Sequence, residues 1–214
     1  MGEKFIGLLS RLFHLFPGRD IFKTGSMNYF AVQVRTRDEG KFMALAEKSM
    51  AAQPLKLIFP RRMLKVRRRG KYRQELAPLF PGYVFLFGGD VPPQTYWKIK
   101  KVPGFFRFLK SNYDIQPLSG EERELLVHFL SYGEIVKSST VIFDEDSRIQ
   151  VLNGPMQGLE GRIVKVDKRK GRAKIKLDMY GNSFLVDVGI EIIEKIPEAA
   201  DAGGVSAMSG KGNS

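Results

Sequence analysis

At 214 residues the chain has room for one domain or two small ones, and a hydrophobic fraction of 43% implies a packed core rather than general disorder. Lys and Arg total 35 against 23 Asp and Glu, a net +12 that attracts phosphate polyanions or anionic lipid and says nothing about fold. The absence of cysteine excludes disulfides, thiolate metal sites and Cys nucleophiles and fits a reducing cytoplasm; the two histidines, His14 and His128, have no metalloprotease spacing.

The first apolar run, Phe5, Ile6, Leu8, Leu9, Leu12, Phe13, Leu15 and Phe16, is interrupted by Arg11 and His14. It falls far short of the roughly 20 residues that a membrane span needs. No small-residue cleavage site follows, so neither a span nor a signal peptide is expected. Positions 5, 8, 9, 12, 13 and 16 have helical spacing, which predicts an amphipathic helix in an appendage over residues 1–26.

From Asn28 the pattern becomes regular. Tyr29, Ala31 and Gln33 alternate against Phe30, Val32 and Val34, as in a strand. Asp38-Glu39-Gly40 opens a helix to about Gln53, with Phe42, Leu45, Ala46 and Met50 on one face and Pro54 as its stop. Leu55 to Phe59 reads as a strand, and Arg61 to Arg73 as a charged hairpin with its tip near Gly70. After Pro81-Gly82, Tyr83 to Phe87 reads as a buried strand. A short helix is predicted over Thr95 to Lys101, and a strand over Phe105 to Leu109 after Pro103-Gly104. Ser119 with Glu122 three residues on predicts a capping box, and Leu125, Leu126, Phe129 and Leu130 form the inner face of the helix that follows. Strands alternating with helices predict a compact α+β sandwich over residues 27–131.

Residues 132–146 read as a linker, acidic at Asp144-Glu145-Asp146, with Val141-Ile142-Phe143 its one candidate strand. Period two then returns. Ile149 and Val151, Ile163 to Val166, Ala173 to Leu177, Phe184 to Val188, and Ile192-Ile193 are separated by Asn153-Gly154, Lys170-Gly171 and Tyr180-Gly181-Asn182. Five short strands with no helix predict a small β-barrel over residues 147–196, followed by a disordered tail over 197–214.

No enzyme chemistry is legible. There is no phosphate-binding loop, and Gly154, Gly158 and Gly161 precede a strand rather than a helix. Glu121 and Glu122 suit the first turn of a helix. His128 lies on that helix's polar flank and reads as a surface or capped histidine. No cofactor and no metal are expected.

Binding chemistry is better represented. Arg61, Arg62, Lys65, Arg67, Arg68, Arg69, Lys71 and Arg73 are eight cations with no acid among them, so mutual repulsion gives folding no use for them. They suit nucleic-acid phosphates, or else a solvated loop. Lys165, Lys168, Arg169, Lys170, Arg172, Lys174 and Lys176 form a second set, with Arg172, Lys174 and Lys176 on the outward face of a strand. They read as a ridge for phosphates, or as edge cations that prevent sheet aggregation. The aromatic set Tyr83, Phe85, Tyr96, Trp97, Phe105, Phe106 and Phe108 is dense for so small a core, which suggests an apolar pocket for a partner helix.

Two segments together resemble one family. Leu79-Phe80-Pro81-Gly82-Tyr83-Val84-Phe85, with Val102-Pro103-Gly104-Phe105 and Gln116-Pro117-Leu118-Ser119 after it, resembles the NusG N-terminal domain. Ser147 to Asp167, around Gly154-Pro155-Met156-Gln157-Gly158-Leu159-Glu160-Gly161, resembles the KOW motif. The resemblance spans residues 27–196. It implies an N-terminal α/β sandwich on a four-stranded antiparallel sheet, followed by a five-stranded SH3-like barrel.

It also implies a non-enzymatic, cytoplasmic and monomeric transcription elongation factor that holds RNA polymerase in its active conformer and so suppresses pausing. Carried over by position, the polymerase contacts are Tyr29, Phe80, Tyr83 and Phe85. Met156 and Leu159 lie in the KOW loop that faces a ribosomal protein or a termination factor. Residues 27–131 carry a surplus of 10 positive charges, and Met156 stands where Phe is usual in the family. Both departures resemble specialised antiterminators, some of which read an RNA hairpin, rather than the general factor. Nascent RNA, a hairpin included, and DNA are the expected nucleic-acid partners. The alternatives are a general NusG-type elongation factor that couples polymerase to a ribosome or a termination factor and, from another class, a ribosome-associated KOW protein that binds RNA.

Overall fold

The computed structural model describes residues 27–193 except 51, 52, 110, 111 and 113. The expected appendage over 1–26 and tail over 197–214 lie outside the described residues. In chain order the elements are β1 (Asn28–Val34), α1 (Glu39–Met50), β2 (Lys56–Ile58), β3 (Arg61–Arg68), β4 (Lys71–Pro78), β5 (Tyr83–Gly88), α2 (Pro93–Lys100), β6 (Phe105–Phe108), α3 (Gly120–Leu130), β7 (Ile135–Val136), β8 (Ser139–Phe143), β9 (Ile149–Asn153), β10 (Ile163–Asp167), β11 (Arg172–Met179) and β12 (Asn182–Ile192).

The N-terminal sheet is four-stranded, in the order β2-β5-β1-β6, with every pair antiparallel. Its central strands are apolar at nearly every position, so both faces of the sheet require cover. Phe30, Val32, Val34, Val84 and Leu86 point one way and pack with Phe42, Ala46 and Met50 of α1 and Ile99 of α2. Tyr29, Ala31, Tyr83 and Phe85 point the other way and share a core with Leu125, Leu126 and Phe129 of α3. The predicted order of strands and helices is the order found.

The Pro81-Gly82 turn is fixed from α1. Glu39, buried at the start of that helix, accepts a hydrogen bond from the Gly82 amide at 2.7 Å. Gly82 has φ +81°, and a Cβ there would sit 3.0 Å from Thr36 Oγ1. The turn therefore takes glycine for both conformation and space.

Two expectations are revised. Ser119 is the N-cap of α3, but its hydroxyl makes no capping hydrogen bond. The capping box is therefore absent, and Glu121 in the first turn is instead 3.5 Å from Arg162 of the C-terminal domain. The expected linker also contains β7, which was not expected, and β8, which includes the candidate strand Val141-Ile142-Phe143. β7 pairs in parallel with β3, and β8 belongs to the C-terminal sheet, whose order is β10-β11-β12-β8-β9. β8 pairs in parallel with the end of β12, Ile190 opposite Ser139, and antiparallel with β9. A parallel partner 51 residues away leaves no local signature. Ile192, expected on a strand of its own, ends β12.

In β11 the alternation is as predicted, with Ala173, Ile175, Leu177 and Met179 buried and Arg172, Lys174, Lys176 and Asp178 turned outward. The turn after β9 lies directly against β8. Gly154 has φ +106°, and a Cβ on it would meet Ser139 Cα at 2.7 Å. Ser139 is itself fixed, because its hydroxyl accepts the Met156 amide at 3.0 Å. Left-handed strain and a backbone clash therefore coincide at this glycine. Gly154→Ala is expected to destabilise the fold by about 2–4 kcal/mol. The melting temperature followed by circular dichroism should fall by roughly 4–16 °C, about 2–4 °C per kcal/mol for a chain of this size.

Candidate functional site

The aromatic face of the N-terminal sheet lies beneath the C-terminal barrel. Phe80 is fully buried at the centre of a three-way cluster. Its ring meets Phe85 edge-on at 5.4 Å, Phe129 of α3 at 6.1 Å and Phe184 of β12 at 6.3 Å. Phe184 also lies 6.1 Å from Tyr83, whose hydroxyl accepts a hydrogen bond from the Asn182 side chain at 3.2 Å. Tyr29 and Phe85 are buried in the same cluster, and burial pushes the Tyr29 phenol above its ordinary pKa, with Arg123 opposing. The structure thus brings Tyr29, Phe80, Tyr83 and Phe85 together, the four expected polymerase contacts, and places all four out of solvent. Edge-to-face pairs of this kind add about 0.5–1.5 kcal/mol each beyond their area burial.

Around this apolar centre the junction is polar. The His128 ring donates from Nε2 to the Pro155 carbonyl at 2.8 Å, so the histidine expected at the surface joins the two domains. Arg162 lies between Asp178 at 3.2 Å and Glu121 of α3 at 3.5 Å. Tyr180, in the β11–β12 turn, has its phenol pushed up to about 12 by burial, with Glu122 of α3 adding to the effect. On the other flank, Arg172 donates to the Lys65 carbonyl of β3 at 2.9 Å. Met156, expected in a partner-facing loop, is fully buried in the shared core, and Leu159 packs against that core.

The two basic sets behave differently. In the barrel, Arg172 and Lys174 share Asp187 at 3.8 and 3.7 Å, Lys170 pairs with Asp167 at 3.4 Å and Lys176 with Asp178 at 3.7 Å. Lys168 places its ammonium 3.7 Å from the Phe143 ring centroid. Lys165 and Arg169 are exposed. Arg172 is the most enclosed of the ridge, with its side chain 19% exposed. Arg62 lies at the same place from the hairpin side. Burial pushes its guanidinium below the ordinary value, Asp187 acts against that, and Arg172 adds to it. Asp187 is therefore the carboxylate that Arg172 and Lys174 share within the barrel, and its charge reaches Arg62 of the hairpin.

The hairpin is otherwise open. β3 and β4 pair over eight positions through a two-residue turn at Arg69-Gly70. Arg67, Arg68, Arg69, Lys71 and Arg73 are exposed, and Arg68 pairs with Glu75 at 2.8 Å. Arg61 stands 5.9 Å from the Phe59 ring at the base. Among the described residues no cluster of His, Cys, Asp or Glu is arranged to hold a metal, and no helix is long and apolar enough to cross a membrane.

The sequence alone did not single out Phe184, Asn182, Arg162 or Asp187. Each acts across the domain junction, and only Phe184, an aromatic on an otherwise aliphatic barrel strand, carried a local signal.

Residues 27–127 match the family described as NusG, transcription termination factor nusG. The transcription termination/antitermination protein NusG of Borreliella burgdorferi is 30% identical over 138 residues, covering 60% of this chain and 74% of the relative. The chain belongs to the NusG family. The NusG protein of Thermus thermophilus is 26% identical over 182 residues, 79% of this chain and 99% of its own. A solved structure titled "Domain interaction in Thermotoga maritima NusG" aligns with a TM-score of 0.46 at 20% identity, covering 77% of this chain and 94% of that one. In this NusG-family chain Phe184 supplies ring contacts at the junction, and Asp187 supplies negative charge that offsets Arg62 and Arg172 there. Phe184→Ala and Asp187→Asn are each expected to release the barrel from the N-terminal domain, whereas Leu185→Ala, on the exposed side of the same strand, is not. Amide 15N relaxation should report one rotational correlation time for the wild type and for Leu185→Ala. It should report two shorter ones for the release variants.

Proposed function

We propose that this NusG-family chain is a cytoplasmic transcription elongation and antitermination factor. It binds RNA polymerase through the aromatic face at Tyr29, Phe80, Tyr83 and Phe85, reduces pausing and termination, and meets nucleic-acid phosphates through its basic hairpin and barrel. The observation that carries this reading is the chemistry of that face. It is a contiguous aromatic surface on a rigid sheet, of the kind that takes an amphipathic partner helix, and its cover is held by a few ring contacts and a polar rim.

Polymerase and barrel then compete for one surface. A factor whose binding-competent form is a minor fraction binds more weakly by that fraction. If closure is worth about 1–2 kcal/mol, release of the barrel tightens binding about 5- to 30-fold. The surplus of cations suits a partner assembly rich in phosphate. The barrel's ridge contributes least of the basic surface, since most of its cations already have an acidic or aromatic partner.

Core RNA polymerase retained on immobilised protein is the direct test. Wild type is expected to bind, Phe184→Ala to bind 5- to 30-fold more tightly, and Tyr83→Ala in the Phe184→Ala background to lose that gain. Absence of binding by both wild type and Phe184→Ala would overturn the reading. An in vitro termination assay should show read-through rising in the same order as affinity.

A further inference from the structure

The two faces of the β3–β4 hairpin differ. Cross-strand partners project from the same face of a ribbon. The pairs Arg67–Tyr72, Lys65–Gln74 and Met63–Leu76 therefore form one face, and Arg68–Lys71, Val66–Arg73 and Leu64–Glu75 the other. The second face is turned inward at its base. Leu64 is buried there, and Arg62, on the same side, feels Asp187 and Arg172 of the barrel. The first face is open. Tyr72 is 60% and Leu76 46% exposed, and Lys65 and Gln74 lie in solvent between them. Lys65 Nζ lies 4.8 Å and Arg67 Cζ 5.8 Å from the Tyr72 ring centroid.

We infer that this outer face is a binding site for single-stranded RNA, with Tyr72 as the ring on which an unstacked base lies. The inference rests on the proposed role of the hairpin in meeting phosphates and names what accompanies them. A phenol flanked by two cations supplies both halves of single-strand recognition: a π-face for any base and positive charge for the phosphate beside it. In a duplex the base faces are stacked away, so the ring would have nothing to lie on. Gln74 faces the same strip opposite Lys65. Its amide both donates and accepts, which matches a ribose 2′-hydroxyl and distinguishes RNA from DNA. Arg69 and Lys71 at the tip extend the cationic track past the ring. The ribbon is held rigid by its eight-residue pairing, so the ring is presented without an ordering cost.

Fluorescence anisotropy on the full chain with a labelled 12-nucleotide RNA tests this. Tyr72→Ala is expected to weaken binding about 5- to 150-fold, the range for losing one base–aromatic stack. Tyr72→Phe, which keeps the ring, should stay within about twofold of wild type, and the salt dependence of Tyr72→Ala should match that of wild type because no phosphate contact is removed. DNA of the same sequence and the RNA duplex should both bind more weakly than the single-stranded RNA. Wild-type affinity in Tyr72→Ala would overturn the site, as would equal affinity for duplex or for DNA. The triple reversal Arg67→Glu, Lys71→Glu, Arg73→Glu separates the two layers. If reversal abolishes binding while Tyr72→Ala does not, stacking fails and the phosphate role stands; if reversal changes nothing, both fail. Tyr72 is 60% exposed, and an unchanged melting temperature confirms that its variants are folded.

Discussion

A four-stranded sheet that is apolar on both faces has to be covered twice, and this constraint organises the molecule. Two helices cover one face completely. On the other, α3 covers part, and the remaining aromatic strip around Phe80 and Tyr83 is left for something else. In this chain it is the barrel that fills the space, by lowering Phe184 between Phe80 and Tyr83. Leaving such a strip in water would cost roughly 1.5–3 kcal/mol for each large side chain exposed. The domains therefore adhere even though the rim between them is made of single hydrogen bonds and partly exposed ion pairs, which contribute little by themselves.

The junction combines two kinds of contact. Its apolar part is continuous with the shared core, and its electrostatics are mixed. The charge of Arg172 acts against that of Arg62 across the junction, and Asp187, paired with Arg172, offsets it. The loop that carries Met156 is likewise turned into the shared core and against α3 rather than outward.

Most of the fold was legible because strands and helices leave local periodicities. The alternation in β1 predicted both of its faces, and the outward cations of β11 were placed correctly by period two alone. What was not legible depends on distant residues. Val141-Ile142-Phe143 marked β8 as a candidate strand, but its parallel partner near the end of β12, which brings it into the C-terminal sheet, left no local sign. The capping box at Ser119 had the right letters, but its hydroxyl makes no capping hydrogen bond, and Glu121 of the first turn faces Arg162 across the junction. For the site, sequence marked the aromatic face and both basic sets. It could not reveal that barrel cations face carboxylates, since Asp187 reaches Arg172 and Lys174 only through the β11–β12 register. Nor could it reveal that the aromatic face is already occupied.

The central claim is that barrel and polymerase exclude one another from the aromatic face. The chain has no native cysteine, so spin labels can be placed at will. With Glu47→Cys in α1 and Glu145→Cys in the barrel, both at exposed positions, pulsed electron–electron double resonance measures the separation of the domains. The account predicts one narrow distance distribution for the free protein and a longer, broad one when core polymerase is bound. A narrow distribution unchanged by saturating polymerase would contradict it.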